Sequence, residues 1–415
     1  MTSEQIMESM VPEEPRKLHW PSIGLLVLSA FGMLISLPAA VVLLLAGFAA
    51  MTAGPGSVIE IYSLFSSAWL AFFIGLLFTP AAIYSLFRLL GKDISTFKIR
   101  GRRQITVLLL FIWPVLLYVG SLASQKEMLS WIILPPVQIL VMGIPLLLMI
   151  EIGRKGLSKV NPQRKWGAIS FGMTGTSFLT LLAELIALGG IAILLMAWLF
   201  MNPEWIDQLS RLGQRLMSSQ LQPESLVRIL SPYFESPAVI LGMLSVGAGI
   251  VPILEELIKP IVLWFLIGKK MTPAEGFEMG LIAGACFAFL ESMGMLLSPL
   301  YENWAGIIVG RVGTGILHTT TTALVGWGLV VAWQQRKYIQ LGLAFILAVS
   351  LHAIWNTFGL LMGFVAFLPE KSFFAVLGET APYALVVLSM AMLFILFGGN
   401  RILKNQQNDA APIIN

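Results

Sequence analysis

Residues 341–367 read LGLAFILAVSLHAIWNTFGLLMGFVAF, a stretch of 27 residues that contains no Asp, Glu, Lys or Arg. A helix that crosses about 30 Å of hydrocarbon needs about 20 mostly apolar residues, because each residue rises about 1.5 Å. The stretch is long enough and apolar enough to be such a helix. It also carries His352 and Asn356, which share one helix face because they are four residues apart.

Nine other segments have the same character, so the sequence predicts about ten transmembrane helices. The ten segments are 23–53, 62–90, 104–124, 131–153, 168–201, 238–268, 276–299, 306–333, 341–367 and 381–398. The composition agrees, since 57% of the 415 residues are hydrophobic and 12% are charged, against about 45–50% and about 25% in soluble domains. We therefore predict an all-α, polytopic integral membrane helix bundle and exclude a water-soluble enzyme.

The Lys and Arg residues are distributed unevenly among the connecting segments. If the N-terminus is cytoplasmic, 18 of the 26 Lys and Arg residues lie in cytoplasmic segments and five lie in outside loops. Cytoplasmic loops of membrane proteins carry such an excess of positive charge. We therefore predict cytoplasmic N- and C-termini. The predicted regions are a tail at 1–22, five spans at 23–201, an extracytoplasmic connector at 202–237, a four-helix core at 238–367, and a last span with its tail at 368–415.

The connector contains a helical pattern of large apolar residues. Trp205, Leu209, Leu212 and Leu216 follow one another at positions i, i+4, i+7 and i+11. This spacing predicts an amphipathic helix that lies on the outer membrane surface. Such a helix would either cover the helix bundle or control the access of a substrate to it.

Ionisable side chains inside the hydrocarbon region cost roughly 2.5–3.5 kcal/mol each on insertion scales, so they mark functional sites. Most of them fall in the core region, which contains Glu255, Glu256, Lys259, Glu291, Arg311, His318, His352 and Asn356. Measured by helix rise from the predicted cytoplasmic boundary, an acid, imidazole or amide of each core helix lies at a depth of roughly 16–23 Å. Four successive antiparallel helices thus present polar groups at one level near the middle of the membrane.

Helical spacing predicts which of these groups face one another. Lys259 is four residues after Glu255 and three after Glu256, and both spacings favour an ion pair. Adjacent glutamates point in different directions, so we expect one to face the site and the other to be held by Lys259. Gly280 and Gly284 form a Gly-x-x-x-Gly pair, which permits the close helix approach that a shared site requires.

The residue types are those of a catalytic zinc site. Such sites use three protein ligands, often two His and one carboxylate, and keep a fourth position for water. Glu291, His318 and His352 provide a ligand set of this kind. Glu255 or Glu256 would then act as the general base, and Asn356 would donate a hydrogen bond to a developing oxyanion. The pattern leaves open an exchange of roles between Glu291 and either Glu255 or Asn356.

These residues also form a series of motifs. EELIK at 255–259 matches EExxK, and FAFLE at 287–291 matches FxxxE; His318 and the run HAIWN at 352–356 follow. The series resembles the PrsW family of intramembrane metalloproteases, which is related to the CAAX-processing and bacteriocin-processing membrane proteases. The resemblance covers about residues 238–367. It implies a zinc-dependent peptidase with Glu255 as the base and Glu256 as the partner of Lys259.

The resemblance also implies a biological setting. The substrate would be a membrane protein that is cleaved in, or just outside, its membrane portion. Relatives are associated with cleaving anti-sigma factors in envelope-stress signalling, so the resemblance implies an anti-sigma-factor-like substrate and a bacterial plasma membrane. The lipid bilayer is the other expected partner, no nucleic-acid partner is expected, and the oligomeric state is left open.

Two other classes of protein compete with a protease. Ten spans could form two inverted repeats of five, as in ion-coupled transporters that bind ions near mid-membrane. The first half, however, has no counterpart of the Glu255–Glu256 pair or of the two histidines. A non-catalytic membrane chaperone or binding relative would be expected to have lost an acid or histidine of the set, and none is missing.

Two further charged residues lie within predicted spans. Glu184 is the one deeply placed acid of the first five spans, for which we expect a polar contact to a neighbouring helix. Arg311 lies seven residues before His318 and nearer the predicted outer surface. We expect it to have a structural role or to contact an anionic lipid.

Overall fold

The computed structural model describes residues 19–52, 58–92, 102–219, 222–298 and 303–409. Within these ranges the chain is helical and contains no β-strand. Ten helical segments of the described ranges are long and apolar enough to cross a membrane. The predicted all-α bundle with about ten spans is therefore confirmed.

The helices are numbered here in chain order. They are α1 (Trp20–Thr52), α2 (Val58–Leu89), α3 (Arg102–Ser124), α4 (Glu127–Gly153), α5 (Pro162–Phe171), α6 (Ser177–Met201), α7 (Glu204–Ser218), α8 (Pro223–Phe234), α9 (Pro237–Leu244), α10 (Val251–Ile258), α11 (Ile261–Trp264), α12 (Pro273–Met295), α13 (Trp304–Gln335), α14 (Tyr338–Phe364) and α15 (Phe373–Asp409). Two π-helical turns, Gly172–Thr176 and Ser245–Ile250, join α5 to α6 and α9 to α10. A 3₁₀ turn, Val365–Phe367, follows α14.

Helices α12 and α13 form the centre of the bundle. In the most apolar stretch of each, 89% of the residues are buried, against 56% or fewer in the other eight spans. Glycines permit this close contact: a Cβ at Gly280 would collide with the carbonyl oxygen of Thr322, and one at Gly284 with that of His318. The close approach expected at this Gly-x-x-x-Gly pair is therefore present.

The sixth span is not one regular helix. Two prolines interrupt it, Pro252 in the first turn of α10, just after the π-helical turn, and Pro260 between α10 and α11. In a π-helix the carbonyl oxygen of Gly247 would accept a hydrogen bond from the N–H of residue 252. Residue 252 is a proline, which has no N–H. Asn356 Nδ2 donates to this carbonyl oxygen instead, at 2.9 Å. The irregular backbone of the sixth span is thereby fixed to α14.

The connector between α6 and α9 is helical. Its apolar pattern lies on α7, none of whose side chains is buried within the described residues. Helix α8 packs against the end of α14, where Phe234 stacks on Phe364 with ring centroids 5.5 Å apart. The amphipathic helix expected from the spacing of Trp205 and Leu209 is thus present, and its position on the membrane surface stays a prediction.

Candidate metal centre and active site

Polar side chains from three helices meet in one buried cluster, and a fourth helix adds an acid at its edge. Glu255 and Glu256 come from α10, His318 from α13 and His352 from α14, and Lys259 directly follows α10. Each of these five residues is at most 6% exposed. Glu291, on α12, adjoins the cluster and its side chain is 34% exposed. The structure thus brings together the acids and imidazoles that the sequence placed at one depth.

Three of these side chains converge on one point. Glu255, His318 and His352 each offer one ligand atom, and the three atoms lie within 4.8 Å of one another. Oε2 of Glu255 is 3.9 Å from Nδ1 of His318 and 3.8 Å from Nε2 of His352. Ligand atoms of a tetrahedral zinc with bonds of about 2.0 Å are about 3.3 Å apart. The two distances from Glu255 exceed this value by about 0.5 Å, and the three atoms are close enough to share one metal ion after a small rearrangement.

The opposite nitrogen of each imidazole contacts a second carboxylate. Nε2 of His318 is 2.8 Å from Oε2 of Glu291, and Nδ1 of His352 is 2.9 Å from Oε1 of Glu256. Metal-ligating histidines usually bond through their other ring nitrogen to a carboxylate or carbonyl, which fixes the ring and its tautomer. Both acids favour a proton on the outer nitrogen and leave the inner nitrogen as a lone-pair donor.

Lys259 places its ammonium group within the cluster. Nζ lies 2.8 Å from Oε2 of Glu255, 2.9 Å from Oε1 of Glu256 and 2.6 Å from Nδ1 of His318. It also lies 4.7 Å from the centre of the Phe287 ring. The ammonium therefore stabilises both acids, and it contacts two of the three atoms that could bind a metal.

Glu256 is the most tightly held acid of the cluster. Its Oε1 contacts Lys259 Nζ and His352 Nδ1, and it also accepts a hydrogen bond from Thr321 Oγ1 at 3.1 Å. Its Oε2 is buried without a hydrogen-bond partner among the described residues. Oε2 of Glu255 likewise accepts no hydrogen bond of good geometry there, although Lys259 Nζ is close.

Arg311 reaches the outer side of the cluster. Its Nη2 lies 2.7 Å from Oε2 of Glu291, and its Nε donates to Ser292 Oγ at 3.0 Å. The structural role expected for Arg311 is therefore a specific one, because Glu291 joins Arg311 to His318. Glu291 contacts the nitrogen of His318 that faces away from Glu255, and it does not belong to the converging trio.

Asn356 and Glu184 lie at the edges of this arrangement. One N–H of the Asn356 amide is bound to Gly247, as described above. Glu184, on α6, is half-buried, and its electrostatic neighbours include Glu255, Glu291 and Lys259. The first five spans thus contribute one acid near the cluster.

A cavity of about 340 Å³ includes Glu256 among its lining residues. Its lining is mainly apolar and comes from α10, α11, α13 and α14. Pro260, Leu329, Gly342 and Phe345 are among the lining residues. The cavity is therefore a mainly apolar recess between helices, with Glu256 in its wall.

Comparisons with known proteins give one match. A family model described as PrsW family intramembrane metalloprotease matches residues 179–396. The matched segment is more than half of the chain, and it contains every residue of the cluster as well as Glu184. No curated protein and no solved structure gives a significant match to the chain.

Proposed function

Because the chain belongs to the PrsW family of intramembrane metalloproteases, we propose that it is a zinc-dependent endopeptidase in which Glu255, His318 and His352 hold the metal. The observation that carries this proposal is the convergence of one atom from each of these side chains. This assignment gives Glu255 the ligand role that the sequence patterns suggested for Glu291, makes Glu256 the base, and leaves Glu291 to orient His318. The sequence left open both whether Glu255 takes the ligand role of Glu291 and which of the two adjacent glutamates is the base.

The charges of the cluster support a bound cation. Three acids, Glu255, Glu256 and Glu291, are balanced by the ammonium of Lys259 and the guanidinium of Arg311. With neutral imidazoles, one negative charge remains in a region of low dielectric, where unpaired charge is costly. A divalent metal on Glu255 and the two imidazoles would compensate this charge. Imidazole and carboxylate ligands favour zinc among the common metals of hydrolases.

The protein side chains divide the catalytic work. A metal held by the trio would act as a Lewis acid and activate water at neutral pH. Glu256 accepts the proton of the attacking water at Oε2, the oxygen that receives no hydrogen bond from the described residues. Glu291 and Oε1 of Glu256 orient the two imidazoles. One N–H of the Asn356 amide is bound to the carbonyl oxygen of Gly247, which orients the side chain. Its other N–H donates a hydrogen bond to the developing oxyanion.

The substrate is proposed to be another membrane protein. Its apolar segment approaches through the cavity that Glu256 helps to line, because a segment leaving the bilayer can remain in apolar surroundings there. The proposed substrate is an anti-sigma-factor-like protein. The proposed location of the chain is a bacterial plasma membrane, with both termini in the cytoplasm.

Metal analysis of the purified full-length chain tests the ligand set. We expect about one zinc per chain in the wild type and little zinc after Glu255→Gln, His318→Ala or His352→Ala. Glu256→Gln should keep the zinc and lose cleavage of a membrane-protein substrate. His19→Ala is the matched control, because His19 is the third histidine and lies outside the cluster.

Two results would contradict the proposal in different ways. Retention of zinc after both histidine substitutions would exclude the site altogether. Retention after Glu255→Gln, with loss after Glu291→Gln, would keep the protease but return the ligand role to Glu291.

A further inference from the structure

A second cavity, of about 690 Å³, lies apart from the acid–histidine cluster. It is formed by the beginning of α1, the end of α2, the length of α5, the segment 262–269 around and after α11, and Met279 of α12. No residue of the cluster is among its lining residues. The cavity adjoins the helix ends that the sequence predicts to be cytoplasmic, and the proposed peptidase activity does not use it.

The polar lining of this cavity is positively charged. His19, Arg88, Arg164 and Lys269 line it, and the described lining residues include no Asp or Glu. Arg88 and Lys269 lie near His19: burial and the charges of these two residues lower the pKa of His19, which favours its neutral form. The cavity therefore presents positive potential without an acid in its described wall.

The basic groups are oriented by neutral partners. Arg88 Nη1 donates to Gln163 Oε1 at 2.8 Å, and Gln163 Nε2 donates to Ser22 Oγ at 2.6 Å. Arg164 Nη1 lies 3.5 Å from the carbonyl oxygen of Lys270. Within the described residues, none of the basic side chains of this cavity forms an ion pair with an acid. Their charge is available to an anionic ligand.

Apart from Asn161 and Gln163, the rest of the wall is apolar, and part of it is exposed at the surface of the bundle. Leu25 and Leu28 of α1 face this space together with Phe171 and Phe265, whose rings meet edge to face with centroids 5.2 Å apart. The Phe265 side chain is 66% exposed. A ligand that fits this wall has both an anionic group and a hydrocarbon portion.

We propose that this cavity binds one anionic phospholipid of the adjacent leaflet, with its phosphate at Arg88, Arg164 and Lys269 and an acyl chain along Leu25 and Phe265. Basic pockets between helices on the cytoplasmic side recognise anionic headgroups, which are concentrated in that leaflet. A free phosphate ion has no hydrocarbon portion that could contact the apolar wall. The tail at 1–18, whose acids are Glu4, Glu8, Glu13 and Glu14, is the rival occupant.

Native mass spectrometry of the full-length chain in detergent tests the proposal. The chain is titrated with dioleoyl phosphatidylglycerol or with dioleoyl phosphatidylcholine, which has the same acyl chains and no net charge. We expect one retained phosphatidylglycerol per chain. Lys269→Gln and Arg164→Gln should each weaken this retention by roughly fivefold, as expected for one basic group at an anionic lipid. Lys270→Gln is the matched control, because Lys270 is exposed, adjacent to Lys269 and absent from the lining.

Three results would overturn the proposal. Equal retention of the two lipids, or equal effects of Lys269→Gln and Lys270→Gln, would exclude recognition of the headgroup in this cavity. Displacement of the lipid by millimolar inorganic phosphate would assign the cavity to a soluble anion. A preference for phosphatidylglycerol that appears only after Glu4, Glu8, Glu13 and Glu14 are changed to Gln would assign it to the tail.

Discussion

Nε2 of His318 lies 2.8 Å from Oε2 of Glu291, while Nδ1 of the same ring lies 3.9 Å from Oε2 of Glu255. His352 is placed in the same way between Glu256, 2.9 Å from its Nδ1, and Glu255, 3.8 Å from its Nε2. The two imidazoles thus share Glu255, and each has one further acid of its own. This arrangement makes Glu255 the common inner carboxylate and makes Glu256 and Glu291 the outer ones.

The outer position of Glu291 predicts that its substitution weakens zinc binding, but less than the substitution of a metal ligand does. Glu291→Gln should lower the affinity for zinc by roughly 10- to 100-fold, because the amide orients His318 less strongly than the carboxylate does. Glu255→Gln should lower the affinity further, because it removes a ligand. Competition with a chromogenic chelator measures both affinities. Glu235→Gln, at an exposed acid of the connector, is the control, and an equal loss in the two cluster variants would contradict the distinction.

The sequence predicted the helices and the depth of the polar groups because both follow from the fixed rise of a helix. That rule places Glu291 and His318 at the same level, and their side chains are in contact. Depth and helix face do not determine how far a side chain extends. Lys259 contacts both acids of α10 and the ring of His318, and these contacts depend on packing between helices.

The contact between Arg311 and Glu291 could not be predicted from helix spacing. It lies two helical turns from His318, which corresponds to about 10 Å along the axis, so helix spacing separates it from the cluster. Its long side chain covers this distance and reaches Glu291. The π-helical turn at Ser245–Ile250 was also not predicted. Its two glycines and Pro252 were the available signal, but an apolar stretch with these residues is also compatible with a regular span.

Lys259 and the proposed metal both stabilise the carboxylate of Glu255, so their effects on the stability of the protein should depend on each other. Lys259→Met removes the cation that Glu255 and Glu256 contact, and breaking a buried ion pair costs about 3–5 kcal/mol. Zinc should compensate part of this loss. We expect the difference in Tm between the zinc-loaded and the chelator-treated protein to be larger in Lys259→Met than in the wild type.

Thermal unfolding of the purified chain in detergent measures this difference. Lys270→Met, which removes an exposed lysine near the same end of the sixth span, should leave it unchanged. An identical difference in Lys259→Met and the wild type would mean that the lysine and the metal do not both act on Glu255.

The contact between α12 and α13 predicts that Gly284 cannot be replaced. A Cβ at this position would collide with the carbonyl oxygen of His318, and this atom belongs to the backbone and cannot rotate away. Gly284→Ala should lower the free energy of unfolding by about 1–3 kcal/mol, as overpacking does. It should also reduce the zinc content, because it separates Glu291 from His318. Gly294→Ala, on the same helix with open space where its Cβ would lie, should change neither quantity, and an equally mild effect at Gly284 would contradict the prediction.

The cavity that Glu256 helps to line predicts a position where substrate access can be blocked without disturbing the metal. Gly342 lines this cavity, and a Cβ at this position would meet no neighbouring atom within 4 Å, so a leucine side chain would extend into the open space. Gly342→Leu should lower cleavage of a membrane-protein substrate several-fold and leave the zinc content and Tm unchanged. Gly359→Leu is the matched control, because Gly359 is on the same helix, also has open space, and does not line the cavity. A single-turnover cleavage assay with both variants in vesicles compares the rates. Equal rates for Gly342→Leu and Gly359→Leu would show that the substrate reaches Glu256 by another path.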